Sequence, residues 1–183
     1  MILKKCLLTE DNVGVMKSKP QTHKNISTLL GVNLTQSQKI RFGKSVFEPF
    51  VKNIITSVGG NVCDVHMIVM PNGKKKDVDL FFEYDGTFYY FEIKCNLNLD
   101  SEKSKVTDQK IIEITNKLSE KYDNIVSGCL TCWFDSENVV NKLKTKIYHM
   151  KDFFDIFNLD IEKDEYYDTF KEFGKLIKNE TNY

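Results

Sequence analysis

Glu92 and Lys94 lie two residues apart on the most apolar stretch of this 183-residue chain, and Asp77 and Asp79 lie just upstream. A core strand has no use for three carboxylates and an ammonium, because buried charges are destabilising unless they are paired. Two neighbouring carboxylates can share a divalent cation, and hard oxygen ligands suit Mg²⁺. An ammonium beside them can hold a water molecule or a phosphate oxygen, and this combination is what hydrolysis of a phosphodiester requires.

The spacing of these residues predicts that they face one another across a β-hairpin. Aromatic and β-branched runs flank Asp85-Gly86, which is the strongest short-range hairpin signal in the sequence. A two-residue turn at this point fixes the register, with these predicted pairs: Tyr84 and Thr87, Asp79 and Glu92, Asp77 and Lys94.

Like charges directly opposite each other are destabilising, so a cation between Asp79 and Glu92 is the simplest way to offset the repulsion. Asp77 competes with Asp79 as the metal ligand, and Asp79 is preferred because it faces Glu92. The alternative is an ordinary open sheet face, on which Asp77 pairs with Lys94 while Asp79 and Glu92 point to solvent.

Hydrophobic periodicity and turn residues predict the elements that must position the hairpin. Residues 1–35 are expected to be loop with short helical pieces. The remaining predictions are a helix over 37–58 (kinked at Pro49, or starting near Phe47), a strand over 61–70, hairpin strands over 76–84 and 87–95, a helix from Asp100 or Ser101, a strand over 124–134, a helix over about 136–145, a strand over 146–150, and helices over 151–157 and 164–178.

This order predicts an α/β fold (α+β, with a mixed sheet) in which helices flank a central sheet containing the hairpin, all in one domain over 1–183. The hairpin face opposite the acids is apolar and can pack on helices. The helix after the hairpin is expected to bury Val106, Ile111, Ile114, Leu118 and Tyr122, and the last helix Tyr166, Phe170, Phe173 and Ile177.

Composition excludes several classes of protein. The 26 basic and 26 acidic residues balance, so net charge gives no argument for nucleic-acid binding. No apolar run reaches the roughly 20 residues of a membrane span, and the N-terminus is a poor secretory signal, so we expect a cytoplasmic protein with no membrane partner. Five scattered cysteines predict reduced thiols, and the lone Cys129-Leu-Thr-Cys132 motif lies in a predicted buried strand rather than in a metal site.

Asp79, followed after twelve residues by Glu92-Ile93-Lys94, resembles the PD-(D/E)XK nuclease motif, with Val78 in the place of its often-replaced proline. That family has a restriction-endonuclease-like core of a helix, a strand, an acid-bearing hairpin, a helix and a further strand. The predicted order is similar over about 37–135, with 1–36 and 136–183 as additions. The segment KCNLNLDSEKSKVT also resembles the sequence after the motif in short type II restriction endonucleases.

The resemblance implies that Asp79 and Glu92, with the main-chain carbonyl of Ile93, bind Mg²⁺, for which Mn²⁺ can substitute, while Lys94 positions the attacking water. Glu48, on the preceding helix, resembles the additional acidic ligand of many members. Restriction-like members cut double-stranded DNA as homodimers, and no nucleotide cofactor is implied. A basic surface for DNA phosphates is expected from Lys39, Arg41, Lys44, Lys74, Lys75, Lys76 and Lys103.

Two alternatives remain open at this point. One is a structure-selective nuclease with the same chemistry, such as a junction resolvase or repair enzyme, which would read the shape of DNA rather than its sequence. The other is a non-catalytic binding or assembly module that keeps the fold without the metal chemistry.

Overall fold

The structure is a computed structural model that describes residues 2–8, 25–97, 99–136 and 142–180. The chain is a mixed α/β protein that divides into two compact units, one of residues 1–54 and 154–183 and the other of residues 55–153. No helix in the described ranges is long and apolar enough to cross a membrane. The single-domain assignment and its core over 37–135 stay predictions.

The described elements follow one another in this order: α1 (Ile2–Leu7), α2 (Asn25–Leu30), α3 (Gln36–Arg41), a π-helical segment (Phe42–Phe47), α4 (Glu48–Ser57), β1 (Asn61–Val62), β2 (Met67–Val69), β3 (Lys75–Asp77), β4 (Leu80–Tyr84), β5 (Thr87–Ile93), α5 (Ser101–Leu118), β6 (Ile125–Leu130), β7 (Ile147–Tyr148), α6 (Met150–Asp155) and α7 (Lys163–Glu180).

The elements described in the first unit are helices, and the last of them packs as the sequence predicts. Tyr166, Phe170, Phe173 and Ile177 are all buried, and each buried aromatic side chain contributes about 1.5–3 kcal/mol by leaving water. Gly174 allows α7 to approach α2 closely, because a Cβ atom there would lie 1.8 Å from the Leu30 carbonyl oxygen.

The helix predicted over 37–58 consists of three segments. Thr35 caps the first one, α3, and exchanges hydrogen bonds with Gln38 in a capping box. In the π-helical segment the Glu48 N–H donates to the Gly43 carbonyl, five residues back. Pro49 has no N–H to donate, and it lies in the first turn of α4, where that loss matters least.

The second unit is built on a five-stranded mixed sheet of order β1-β4-β5-β6-β7. The strands β1, β4 and β5 are antiparallel, whereas β5, β6 and β7 are parallel. The predicted hairpin is confirmed, because Asp85 and Gly86 have φ angles of 49° and 70° and Tyr84 pairs with Thr87. This is the two-residue turn in which both central residues adopt positive φ.

The strands predicted over 61–70 and 76–84 are each broken, and the prediction that Asp77 faces Lys94 is wrong. Asp77 pairs instead with Met67 in a separate two-stranded sheet, β2–β3, which we call the ribbon. The change of partner occurs at Val78, whose side chain is buried and whose N–H donates to the His66 carbonyl at 3.0 Å.

Helix α5 covers the face of the hairpin that carries the acids. Its Ile111 and Ile114 belong to a buried cluster with Phe81, Tyr90 and Cys129 of the sheet. The alternative in which this face is open to solvent is therefore wrong. The other face is buried as well, as its Phe82 and Phe91 side chains are fully covered.

The predicted inner stripe of α5 is correct at Ile111, Ile114 and Leu118 but wrong at Val106, which is 63% exposed. The buried positions continue towards the N-terminus through Asp108, Thr107 and Ser104, at helical spacing, and Val106 lies on the other side.

The helix predicted over 136–145 falls partly on residues 137–141, which lie outside the described residues. The described part, residues 142–145, is not helical. The buried Asp108 carboxylate instead accepts hydrogen bonds from the N–H groups of Lys144 and Thr145, at 3.0–3.1 Å, and from the Thr145 hydroxyl at 2.7 Å. One side chain therefore fixes this segment to α5.

We expect Asp108→Asn to lower the free energy of unfolding by about 1–3 kcal/mol, because an amide has one acceptor oxygen and its NH₂ group would face N–H donors. Burial alone would raise the pKa of Asp108, but these hydrogen bonds hold it below its ordinary value. A lowered folded-state pKa stabilises the fold above the unfolded pKa of about 3.9, and this contribution is lost as the pH falls through the folded pKa.

Urea unfolding between pH 7 and pH 3 measures this effect. The difference in stability between the wild type and Asp108→Asn should shrink towards low pH, while Asp123→Asn, at an exposed carboxylate, should have little effect. A difference that does not change with pH would contradict the assignment.

Candidate active site

The sheet brings four of the predicted site residues together. Glu92 and Ile93 end strand β5, and Lys94 follows them directly. Strand β4 starts at Leu80 opposite Phe91, so one further step in the same register places Asp79 opposite Glu92. The Asp79 Oδ2 atom accepts a hydrogen bond of 3.0 Å from the Ile93 N–H, which ties the two strands where their ladder ends.

The two carboxylates share one cation, the ammonium of Lys110 on α5. Its Nζ atom lies 2.5 Å from Glu92 Oε2 and 3.7 Å from Asp79 Oδ1. The other Glu92 oxygen, Oε1, lies 2.6 Å from the Nζ atom of Lys94. The site is therefore a cluster of two carboxylates and two ammonium groups, which we call the charge quartet (Asp79, Glu92, Lys94 and Lys110).

Sequence reasoning missed Lys110, although the sequence contains a signal for it. Lys110 lies three residues after Thr107 and four before Ile114, both on the inner stripe of α5. Residues at these spacings share one side of a helix, so a correct stripe would have placed this lysine over the acid-bearing face of the sheet. The prediction missed Lys110 because it took only apolar residues as members of the inner stripe.

Burial makes the charges of the quartet depend on one another. The Glu92 side chain is only 2% exposed, whereas those of Asp79, Lys110 and Lys94 are 17%, 21% and 31% exposed. Removing an ion from water costs several kcal/mol unless partners compensate it. The two positive and two negative groups sum to zero, so the quartet is neutral as a whole.

The pKa shifts follow from this arrangement. Burial and the nearby Glu92 carboxylate raise the pKa of Asp79. Burial alone would also raise the pKa of Glu92, but Lys94 and Lys110 offset this effect and hold it below its ordinary value. Burial disfavours the Lys94 ammonium, yet attraction to Glu92 keeps the pKa of Lys94 above its ordinary value. Glu92 is thus the firmly ionised acid, and Asp79 is the acid that is more easily protonated.

The neighbours of Glu92 are protonated side chains. The Tyr90 hydroxyl donates a 3.4 Å hydrogen bond to Glu92 Oε2, and burial raises the pKa of Tyr90. Cys129 lies beside Glu92 on strand β6, and burial raises the pKa of its thiol to about 12. None of the five cysteines forms a disulfide, and the Cys132 thiol donates to the Cys95 carbonyl at 3.5 Å. Because thiolates are the reactive form, Cys129 is a packing residue.

Lys94 is the member of the quartet that reaches an open cleft. This cleft of about 400 Å³ is bordered by Lys94 and by residues before and within the start of α5, including the apolar side chains of Leu99 and Val106. A volume of this order is large enough for a small ligand or part of a larger one. Lys94 therefore connects the buried Glu92 carboxylate to this cleft.

The other predicted residues lie elsewhere. Glu48, Lys39, Arg41 and Lys44 belong to the helical unit, so their roles stay predictions. Lys74 and Lys75 are exposed on the ribbon, where Lys76 forms an ion pair with Glu113 of α5. Lys103, in the first turn of α5, lies 3.0 Å from Asp100.

Within the described ranges, no group of three or more His, Cys, Asp and Glu side chains is placed to hold a metal ion. Mg²⁺ needs fewer protein ligands, since it usually keeps several waters and binds through one or two carboxylates and substrate phosphates. The pair Asp79 and Glu92 fits that requirement, because the two side chains already converge on a single cation, the Lys110 ammonium.

Two substitutions of Asp79 separate its hydrogen bond from its charge. In Asp79→Asn the amide oxygen can still accept from the Ile93 N–H, and repulsion with Glu92 disappears, so the free energy of unfolding should stay within about 0.5 kcal/mol of the wild type or rise. Asp79→Ala leaves that N–H without this partner and should cost about 1–3 kcal/mol. Urea unfolding at neutral pH measures both, and equal losses would contradict this account.

No protein-family model, no curated protein and no solved structure matches this chain. Its function is therefore inferred from the geometry of the charge quartet.

Proposed function

We propose that this protein is a metal-dependent endonuclease that hydrolyses phosphodiester bonds in double-stranded DNA, as a type II restriction endonuclease does. One observation carries the proposal: the buried carboxylate of Glu92 and the partly buried carboxylate of Asp79 converge on one cation, and Lys94 links Glu92 to an open cleft. The resemblance of these residues to the PD-(D/E)XK motif supports the same chemistry.

In this mechanism Asp79 and Glu92, together with the main-chain carbonyl of Ile93, would hold Mg²⁺. A bound Mg²⁺ would supply an acidified water molecule and positive charge beside the phosphate. Lys94 lies at the edge of the cleft, so its ammonium meets the DNA backbone and orients the attacking water or stabilises negative charge as it develops. Burial beneath α5 keeps Glu92 out of bulk water, which strengthens these interactions.

The basic residues of the ribbon and the start of α5 are proposed to contact DNA phosphates. Lys74 and Lys75 are exposed, and Lys103 borders the same cleft as Lys94. Phosphate contacts of this kind set affinity and orientation but do not read sequence. Arg41 is the only arginine in the chain, so base recognition falls mainly to Lys, Asn, Gln and main-chain groups. We further propose a homodimer, which places one active site on each strand of a symmetric sequence.

One observation favours a second candidate, a non-catalytic DNA-binding or assembly module. Lys110 already satisfies both carboxylates, and a protein that never binds metal would need such a group. A structure-selective nuclease would share the quartet and differ only in its substrate.

The test is incubation of the purified protein with plasmid DNA and with branched DNA, in the presence of Mg²⁺ or Mn²⁺. Discrete plasmid fragments are the expected result. Cleavage confined to branched substrates would show that the protein is a structure-selective nuclease rather than a restriction endonuclease. No cleavage with any metal or substrate would favour the non-catalytic binding module.

Lys94→Met should lower the cleavage rate by about 100-fold or more, because it removes the charge that faces the phosphate. The control is Lys117→Met, which removes a lysine of α5 that pairs with Glu120 and should cut DNA at the wild-type rate. Circular dichroism checks that both variants fold. Full activity in Lys94→Met would exclude its proposed role.

A further inference from the structure

We infer that Lys110 and the divalent cation compete for the same two carboxylate oxygens, so that the protein binds metal only when the Lys110 ammonium moves away. Lys110 is then a positioning residue, which holds Asp79 and Glu92 together until metal arrives. This inference rests on the proposed function and adds a control on metal binding within the same site.

The hydrogen-bonding pattern of the carboxylates indicates competition. Asp79 uses Oδ2 to accept from the Ile93 N–H, and Glu92 uses Oε1 to bind Lys94. The remaining oxygens, Asp79 Oδ1 and Glu92 Oε2, are the two that Lys110 contacts, and Glu92 Oε2 also accepts a 3.4 Å hydrogen bond from the Tyr90 hydroxyl. A metal ion bridging the two acids without disturbing their other contacts would need these same two oxygens.

Charge gives a second reason why the Lys110 ammonium and a divalent cation cannot occupy the site together. The quartet is neutral with Lys110 in place, so a divalent ion would enter a site that lacks an excess of negative charge. Like charges at such short separation repel strongly in a partly buried site. Departure of the ammonium removes this repulsion and restores a net negative charge on the ligands.

The position of Lys110 on α5 allows that movement. Its backbone lies on a helix anchored by the buried Ile111 and Ile114 side chains, while its own side chain is 21% exposed. A lysine carries its charge at the end of a flexible four-carbon stem and can extend the ammonium to water while the stem stays packed. The exchange therefore needs a side-chain rotation and no shift of the helix.

Competition predicts opposite effects of Lys110→Met on the two states. The metal-free variant should have a lower melting temperature than the wild type, because Asp79 and Glu92 then repel each other with less compensation. The same variant should bind metal more tightly, because no ammonium has to leave. A residue with only a structural role would weaken metal binding or leave it unchanged when it is replaced.

The experiment is titration calorimetry of Ca²⁺ into DNA-free wild-type protein, Lys110→Met and Lys117→Met. We expect Lys110→Met to bind Ca²⁺ about tenfold or more tightly than the wild type, with a larger rise in melting temperature on adding Ca²⁺, and Lys117→Met to match the wild type. Binding that is detectable only in Lys110→Met would also support the inference.

A measurement on the wild-type protein covers the case in which Lys110→Met does not fold. Acylation of lysine amines, read by mass spectrometry, should increase at Lys110 when saturating Ca²⁺ is added and stay constant at Lys117. Equal or weaker affinity in Lys110→Met, or unchanged labelling of Lys110 in Ca²⁺-bound protein, would overturn the competition while leaving the proposed nuclease intact. Absence of Ca²⁺ binding in both proteins would overturn the competition and count against the metal-dependent function as well.

Discussion

The buried carboxylate of Glu92 is the constraint on which the sheet unit depends. It lies at the end of β5 with 2% of its side chain exposed, and a charge in that position is tolerated only when partners surround it. Lys94 supplies one partner because residues two apart in a strand share a face. The second partner, Lys110, lies on α5. Helix α5 must therefore pack against the hairpin for the Glu92 charge to be compensated. The same packing of α5 buries the apolar cluster around Ile111 and Ile114.

Stability alone does not explain why four charged side chains occupy this position. Replacing a buried ionic cluster by well-packed apolar residues is often neutral or stabilising, and the surroundings here, such as Phe81 and Tyr90, already form an apolar core. The quartet is thus a feature that packing would not favour by itself. Removing Glu92 or Lys110 is harmful for a different reason, since it leaves other charges of the quartet without compensation. Both properties are expected of a site maintained for chemistry, in which the protein holds reactive groups close together at the expense of stability.

Local sequence signals predicted the parts of the site that local interactions determine. Asp85-Gly86 specifies a turn, the turn specifies a register, and the register puts Asp79 opposite Glu92. The last helix was predictable for a similar reason, because its apolar residues recur every three or four positions and therefore lie on one side of the helix. The change of strand partner at Val78, which moves Asp77 into the ribbon, depends on a core contact formed only in the folded chain. The approach of Lys110 to the acids likewise depends on how α5 docks. Its spacing from Ile114 indicates its side of the helix, but not which side chains of the sheet it meets.

The first ten residues of helix α5, residues 101–110, make three separate structural contributions. Its first turn borders the cleft, Asp108 holds the segment at Lys144 and Thr145, and Lys110 contacts the acids. The last two side chains are only two positions apart on a helix whose inner stripe is packed, so neither contact can shift far without moving the other. Rigid packing of this kind favours discrete changes such as a side-chain rotation over gradual displacement of the backbone. The helix therefore keeps the acids, the cleft and the neighbouring segment in fixed relation, while we propose that the Lys110 ammonium is the group that exchanges with a cation.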